Sequence, residues 1–378
     1  MARRRARGEG TLFRDGSGQW VARLRVGGRV RVKKGRTQRE CADWLADLKR
    51  QVAGGVDVCD KSTVAEYLEH WLSVARAGLR HNTWMGYCQS VRKHIVPFVG
   101  DLRLADLRPD HVQRFYSDRL AAGVGPSAVS RCHKVLHRAL GQAVRWGVVV
   151  RNVADLVEKP AEPRAVVRAL SGGEVQGLLL AARGERLEGL YYVAVVTGMR
   201  IGELLGLRWS DVDWERQAVS VSRQVSRVCG GGLVFQSVKT AAGNRMVALG
   251  EDGLDVLRAQ RVRVVAWGEF AGERWVEGDL IFPNRKGTAL EPRRVGLEFR
   301  AVCDRAGLGA VRFHDLRHTS ASLMLRARVP ARVVSERLGH SDVGLTLNVY
   351  SHVIEEMQSE AAAAIEAAVR PIVMELPG

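Results

Sequence analysis

The first sixty residues alternate apolar and polar side chains with the two-residue period of a β-strand. TLFR and QWVARLRV flank the turn-forming DGSG, and the Gly27-Gly28 pair leads into RVRVKK as a hairpin. One face of the second strand is apolar, with Trp20, Ala22, Leu24 and Val26. Thr37 and Glu40 then form a capping box. The helix after it has apolar positions at helical spacing: Cys41, Trp44, Leu45, Leu48 and Val52. The pattern predicts a three-stranded sheet backed by one helix.

Helical periodicity replaces this alternation after residue 60. Thr63 and Glu66 form a second capping box, followed by an apolar stripe of Val64, Tyr67, Leu68, Trp71 and Leu72. Further helices are predicted over 83–96, over 109–121 with Pro109 at the first helical position, and over 127–146. The predicted buried face of the last helix consists of Val129, Cys132, Leu136, Leu140, Ala143 and Val144. This region is predicted to be an all-α bundle.

The third region mixes helices with short strands. Residues 153–169 contain two prolines and little periodicity, which indicates a linker, and Ser171 with Glu174 forms a capping box beyond it. A helix over 199–207 is followed by strands over 217–225, 233–238 and 244–249, then by helices, including one over 354–369. Because β and α segments do not alternate as βαβ units, a doubly wound nucleotide-binding fold is not expected.

The predicted fold class is therefore multidomain α+β. A small N-terminal sheet with one helix (residues 1–60) precedes an all-α bundle (61–155), a linker (156–169) and a mainly helical domain with a small antiparallel sheet (170–378). The 378 residues are enough for each domain to bury its own core.

The distribution of positive charge along the chain indicates what this architecture binds. The net charge is +17, with +8 in residues 1–60, +7 in 61–160 and only +2 in the remainder. Clustered Lys and Arg most often neutralise the phosphates of nucleic acid. Candidate DNA-binding residues in the sheet are Arg23, Arg25, Arg29, Arg31 and Lys33, and those in the helix over 127–146 are Arg131, Lys134 and Arg138. A solvated charged surface or an anionic membrane surface are the alternatives.

Other composition signals exclude several classes. No apolar run is long enough to span a bilayer, and no apolar signal core follows the basic N-terminus, so a cytoplasmic, nucleoid-associated protein without a membrane partner is expected. Six Cys are scattered without a CxxC pair, which predicts reduced thiols rather than a disulfide scaffold or a zinc site.

Four segments of the third domain carry chemistry: TGMRIGELLGLRW, HDLRHTSASLML, LGH and NVYSHV. In this order and spacing they resemble the active-site boxes of the tyrosine recombinase family, the phage-type integrases, and the resemblance extends through all three domains. The best-matched boxes cover residues 197–209 and 313–352. One departure is Asn152-Val153, where the family usually has Asn-Pro.

The resemblance implies that DNA is cut and rejoined through a 3′-phosphotyrosine with no cofactor. Tyr350 would be the nucleophile, and His314 would accept or share its proton. Arg200 and Arg317 are guanidinium forks suited to the oxygens of a phosphate. His340 would add a hydrogen bond to that phosphate, and Lys239 would protonate the leaving 5′-oxygen. Glu203, one helical turn after Arg200, is expected to orient that Arg or a neighbour.

The resemblance also implies partners. A homotetramer would act on double-stranded DNA, at core attachment sites through the helical and catalytic domains and at arm sites through the basic sheet. An excision factor or a host DNA-bending protein is a further possible partner. The DNA that is integrated or excised would be that of a phage or another mobile element.

Alternative interpretations of the same residues remain open. His314 and His318 at i, i+4, with His340, have the spacing of metal ligands, but the Glu of an HExxH site is missing and no metal is expected. A type IB topoisomerase shares the nucleophile and the two arginines without exchanging partners. A regulator that keeps a decayed recombinase fold would bind DNA without cutting it.

Overall fold

The computed structural model describes residues 10–26, 29–53, 61–162, 168–228, 230–238, 241–340, 342–344 and 362–368. The chain forms two compact units, residues 1–164 and residues 165–378, so the division falls inside the predicted linker. In the described ranges, no helix is long and apolar enough to cross a membrane.

The first unit begins with an antiparallel meander covered by a helix. Its strands are β1 (Thr11–Arg14), β2 (Trp20–Val26) and β3 (Arg29–Gly35), and its helix is α1 (Gln38–Ala53). Side chains of β2 and α1 form a small core of Ala22, Leu24, Cys41, Leu45 and Leu48. The Glu40 amide donates a hydrogen bond to Thr37 Oγ1 at 3.2 Å at the start of α1. The predicted sheet and helix are confirmed.

The strand register places two of the candidate basic residues of the sheet on the opposite face from Arg23 and Arg25. Arg31 pairs with Leu24 and Lys33 with Ala22, so Arg31 and Lys33 share the side of the sheet that α1 covers. Lys33 also lies 3.2 Å from Glu40 of that helix. The pairing of Val26 with Arg29 fixes this register along both strands, because each further pair follows from it one residue at a time.

The open face of the sheet is mixed rather than purely basic. Arg23 and Arg25 lie on it with Val30 and Val32, which are about half exposed at 50% and 48%. Phe13 pairs with Val21 on the same side, and its ring lies 5.2 Å from the Arg23 guanidinium carbon. Of the predicted basic residues on β2 and β3 whose side chains are described, only Arg23 and Arg25 belong to this face.

The rest of the first unit is the predicted helical bundle. Its helices are α2 (Val64–Ala75), α3 (His81–Gln89), α4 (Val96–Val99), α5 (Pro109–Ala121) and α6 (Pro126–Arg145). Residues 90–95 form a π-helical turn that joins α3 to α4. The capping box of Thr63 and Glu66 is present in full, and all five residues of the predicted α2 stripe are buried.

The prediction for Val144 of α6 is wrong, since this side chain is 36% exposed. At about 100° per residue, Val144 lies roughly 100° from the middle of the buried stripe. Val135 and Ala139 complete that stripe instead.

Part of the predicted linker belongs to this unit. Val157 packs against the bundle core and Pro160 is buried. Ser130 Oγ donates to Glu162 Oε1 at 2.5 Å, and Lys134 Nζ lies 3.0 Å from the same oxygen. The chain therefore stays on the surface of α6 as far as residue 162.

The second unit is a helical domain with two small sheets. Its helices are α7 (Gly172–Ala181), α8 (Glu188–Thr197), α9 (Ile201–Leu204), α10 (Glu251–Ala271), α11 (Pro292–Arg305), α12 (Asp315–Arg326) and α13 (Ala331–Leu338). Its strands are β4 (Val212–Asp213), β5 (Ala218–Val221), β6 (Arg223–Arg227), β7 (Leu233–Ser237) and β8 (Arg245–Ala248). Residues 362–368 are helical.

Two sequence predictions are corrected here. The helix expected over 199–207 is only the four residues of α9. The strand expected over 217–225 divides at Ser222, because β5 pairs with β8 whereas β6 pairs with β7. The predicted α+β class is confirmed.

Candidate active site

The TGMR segment forms a tight turn between α8 and α9. Gly198 ends α8 with φ of 64°, a left-handed conformation that favours glycine. A Cβ atom on Gly198 would overlap Leu338 Cδ2, so the turn packs directly against α13. The turn places Arg200 at the N-terminus of α9, where its amide donates to Glu203 Oε2 at 3.0 Å.

Glu203 bridges two guanidinium groups from different parts of the chain. Its side chain is 2% exposed. Arg200 Nη1 donates to Oε1 at 2.8 Å, and Arg245 Nη2 donates to Oε2 at 2.9 Å. Burial alone would raise the pKa of Glu203, but the hydrogen bond and charge of Arg245, together with hydrogen bonds from Arg200, lower it. Glu203 is thus an ionised carboxylate that fixes the Arg200 guanidinium, in the geometry expected of a supporting residue.

Arg317 connects two active-site segments that are far apart in sequence. Its side chain projects from α12 and is buried, at 3% exposure. Nη1 donates to the Gly198 carbonyl at 2.8 Å, and Nη2 donates to the Leu338 carbonyl at 2.7 Å. A planar fork makes two such bonds in fixed directions, whereas an ammonium group does not. Arg317 therefore holds the TGMR turn and the end of α13 in one arrangement.

His340 follows a glycine that has no room for a side chain. Gly339 has φ of 69°, and a Cβ atom there would lie 2.9 Å from both the Ala242 carbonyl oxygen and Arg245 Nη1. The His340 amide donates to the Ser335 carbonyl at 3.0 Å. Burial, with the charges of Arg317, Arg200 and Arg245, lowers the pKa of His340 to about 4. Its imidazole is therefore neutral at pH 7.

His314 immediately precedes α12. Its ring lies 5.1 Å from that of His318, centroid to centroid, in an edge-on arrangement. Burial, followed by the charges of His318 and Arg317, lowers the pKa of His314 to about 4. Asp315 is buried and paired with Arg312 at 2.7 Å, which anchors the start of the helix. Throughout the described ranges, no group of three His, Cys, Asp or Glu side chains could hold a metal ion.

The structure thus brings four of the six predicted catalytic residues into one region. The charges of Arg200 and Arg317 act on both His314 and His340, and Glu203 lies among them. Lys239 and Tyr350 lie outside the described residues. Arg245, which with Lys239 and Thr240 fits the Lys-Thr…Arg pattern of the family but has no role assigned from sequence, donates to Glu203 in the same region. Its signal in the sequence is the Lys-Thr pair followed five residues later by Arg.

The candidate DNA-binding residues of α6 are exposed, and two of them have partners within the bundle. Lys134 pairs with Glu162, and Arg138 Nη1 donates to the hydroxyl of Tyr87 at 3.0 Å. These contacts fix the direction in which the Lys134 and Arg138 side chains point.

The lowered pKa values of His314 and His340 predict that acid destabilises the second unit. In the unfolded chain these histidines bind protons near pH 6.5, whereas in the folded state they do so near pH 4. Between these values the unfolded state holds more protons, so stability falls as the pH is lowered from about 7 to 4. We expect the urea midpoint at pH 5 to lie below that at pH 7.5.

The His314→Asn, His340→Asn double variant should show a smaller difference between these two pH values. His81→Asn, which removes an exposed imidazole in the other unit, serves as the control and should keep the wild-type difference. An unchanged difference in the double variant would show that these histidines are not responsible.

Sequence and structure comparisons identify similar proteins. The profile described as "Phage integrase family" matches residues 168–357, and the profile "Phage integrase, N-terminal SAM-like domain" matches residues 63–119. An integrase of Streptomyces ambofaciens is 30% identical over an alignment of 388 positions, gaps included, which covers 97% of this chain and 98% of that protein.

Solved structures of DNA-bound integrases share the fold. The Tn1549 transposon integrase in complex with transposon right end DNA has a TM-score of 0.67 and 19% identity, and the match covers 79% of this chain and 99% of that one. A lambda integrase tetramer bound to a Holliday junction has a TM-score of 0.56 and 19% identity, with coverage of 91% and 96%.

Proposed function

This chain belongs to the phage integrase family, and from that premise we propose which residues carry out its strand exchange and which DNA it binds. It is a tyrosine-type site-specific recombinase of a phage or another mobile element. The proposal on residues rests chiefly on one observation. Arg200 and Arg317 lie close enough to His314 and His340 for their charges to lower the pKa of both imidazoles, and hydrogen bonds to Glu203 and to the Gly198 carbonyl hold the two guanidinium groups.

Strand cleavage is proposed to begin with attack by Tyr350 on the scissile phosphodiester. The phenolic oxygen forms a bond to phosphorus, and the bond from phosphorus to the 5′-oxygen breaks. The phenolic proton passes to His314, which is neutral and so able to accept it. Lys239 supplies a proton to the departing 5′-oxygen. The products are a 3′-phosphotyrosine and a free 5′-hydroxyl.

The phosphate would be held by fixed cations and one neutral donor. Negative charge develops on the non-bridging oxygens during transfer, and donors positioned beforehand stabilise it without reorganising. We assign this role to Arg200 and Arg317, with a hydrogen bond from the neutral imidazole of His340. Reversal by a 5′-hydroxyl from a second duplex rejoins the strands in a new order, because the covalent link retains the phosphodiester energy.

The proposed partners are double-stranded DNA and three further copies of the chain. The Tn1549 and lambda integrases with this fold are bound to DNA, and the lambda protein forms a tetramer on a Holliday junction. We propose a tetramer on two core sites for this chain, with a nucleoid location that follows from its substrate. An excision factor or a host DNA-bending protein would set the direction of the reaction.

Covalent trapping tests this proposal. Full-length protein is incubated without metal or ATP with nicked fragments of its source DNA, quenched with detergent, and the attached DNA is sequenced. Attachment at one sequence through a 3′-phosphate supports the recombinase mechanism. Attachment spread over all sequences would indicate a topoisomerase activity. Binding in a gel without any attachment would contradict the proposed chemistry.

The N-terminal sheet is proposed to bind arm DNA through its open face. Deleting residues 1–55 should abolish binding to arm DNA and leave covalent attachment to core DNA unchanged, because the proposed catalytic residues all lie in the second unit. Arg23→Gln with Arg25→Gln should weaken arm binding on the order of tenfold or more, since each removes one phosphate-neutralising charge. Gel shifts with separate arm and core duplexes measure both effects.

Lys33→Gln is the matched control for the sheet variants. Compared with Arg23→Gln or Arg25→Gln alone, it removes the same single charge, but from the helix-covered side, where Lys33 pairs with Glu40, and it should retain most of the arm affinity. Loss of arm and core binding together in the deletion protein would overturn the separation of the two activities.

A further inference from the structure

We propose that Arg245 is a positioning residue that ties the segment following Lys239 to the phosphate-binding part of the active site. This inference rests on the proposed function, because it assigns Arg245 to the step in which Lys239 protonates the leaving oxygen. It adds a second supporting residue, beside Glu203, to the six proposed catalytic residues. Arg245 would act through its neighbours and not by touching DNA.

Three nitrogens of Arg245 donate to three different segments. Nε donates to the Arg337 carbonyl at 2.8 Å, in the last turn of α13. Nη1 donates to the Gly243 carbonyl at 3.1 Å, in the segment between Lys239 and β8. Nη2 donates to Glu203 at 2.9 Å, beside α9. The side chain is only 7% exposed, so the whole guanidinium group is enclosed by these elements.

Each of these three segments contacts a proposed catalytic residue or lies within four positions of one in the sequence. Glu203 holds Arg200, and Arg337 lies three residues before His340. Gly243 lies four residues after Lys239. The absence of a side chain at Gly339 lets the backbone before His340 approach the Ala242 carbonyl oxygen and Arg245 itself. One buried cation therefore sets the relative positions of the elements that flank three reactive side chains.

The hydrogen bond from Arg245 to the Gly243 carbonyl links Arg245 to the protonation of the leaving 5′-oxygen. Residues 241–243 form a single helical turn between Lys239 and β8, and the Gly243 carbonyl is a fixed point of that turn. An amine delivers a proton efficiently only when it is held within hydrogen-bond reach of the oxygen that receives it. Loosening the turn should therefore slow protonation of the 5′-oxygen more than it disturbs the binding of the phosphate.

A substrate with a bridging 5′-sulfur separates these two steps. A thiolate is a far better leaving group than an alkoxide and needs no proton when the bond to phosphorus breaks. Arg245→Lys keeps the positive charge, but its three N–H donors radiate from one nitrogen and cannot reach all three acceptors that Nε, Nη1 and Nη2 of the guanidinium serve. On ordinary DNA we expect it to form the covalent complex about 10²-fold more slowly, the lower end of a typical acid–base contribution. On the 5′-sulfur DNA we expect a rate within about threefold of wild type.

Two control variants test whether rescue by the sulfur substrate is specific to Arg245→Lys. Arg200→Lys alters a proposed phosphate contact, so the sulfur substrate should not restore its rate. Arg258→Lys makes the same chemical change at an exposed ion pair on α10 and should behave as wild type on both substrates. Thermal melting of each variant identifies any loss of folding, and the ratio of the two rates within one variant is independent of the fraction folded.

The outcomes are distinguishable. Equal slowing of Arg245→Lys on both substrates would overturn the positioning role and leave the proposed function intact. A wild-type protein that attaches to neither substrate would contradict the proposed function itself. Selective rescue of Arg245→Lys by the sulfur substrate supports the inference.

Discussion

Tyr350→Phe is expected to abolish covalent attachment to DNA while leaving DNA binding intact. The proposed reaction forms one bond between the protein and phosphorus, and the phenolic oxygen supplies it. Phenylalanine keeps the ring and removes only that oxygen, so no phosphotyrosine can form. We expect attachment to fall by at least about 10³-fold, which is the scale seen when a nucleophile is removed from a catalytic group.

The matched control is Tyr192→Phe, which removes a phenolic oxygen from α8 in the same unit. Detergent-resistant complexes measured on one nicked core duplex should persist in Tyr192→Phe and disappear in Tyr350→Phe, with equal gel shifts for both. Attachment by Tyr350→Phe at the wild-type rate would show that another residue is the nucleophile. A wild-type protein with no attachment, and thus no difference from Tyr350→Phe, would favour the DNA-binding regulator.

Arg317→Lys is expected to have the second largest effect, because it changes both the proposed phosphate contact and the structure around it. The guanidinium bonds to the Gly198 and Leu338 carbonyls hold two turns that carry Arg200 and His340. An ammonium group retains the charge but cannot bond to both carbonyls in the same directions. We expect the rate of covalent attachment to fall on the order of 10² to 10³-fold, as when a preorganised donor to a transition state is lost.

The same variant should also be less stable. A buried carbonyl that loses its donor costs about 1–3 kcal/mol, and Arg317 serves two carbonyls from a site that is 3% exposed. The measurements are the rate of attachment under saturating protein and the urea midpoint. Arg326→Lys, at the exposed end of the same helix, should change neither quantity. A wild-type attachment rate in Arg317→Lys would contradict the assigned role.

Local patterns in the sequence predicted most of the helical architecture. The stripe of α2 and the capping boxes of Thr63 and Ser171 were predicted correctly, because helical spacing and caps depend on residues three or four positions apart. Val144 was predicted incorrectly for a related reason. An i, i+4 step from Leu140 extends the stripe equally well in sequence, but only the packing of the bundle shows where the buried face ends.

In the N-terminal sheet, the alternation of apolar and polar residues does not predict which residues of neighbouring strands share a face. Alternation assigned Arg23 and Arg25 to the face opposite the core, but it does not relate one strand to the next. The hairpin register brought Arg31 and Lys33 to the side of α1, because a shift of one residue exchanges the faces of a whole strand. The open face therefore combines basic and apolar side chains, which the charge count had not predicted.

The sequence by itself determined the family, the order of the elements and the residue types of the active site, since these are carried by short motifs and local periodicity. Only the tertiary structure decided which groups hold the proposed catalytic residues in place. Arg245 reaches Glu203 across 42 positions, and Arg317 reaches the Gly198 carbonyl across 119. Such contacts depend on how separate elements pack, and each buried guanidinium is stable there only because carboxylate and carbonyl oxygens replace the water it has lost.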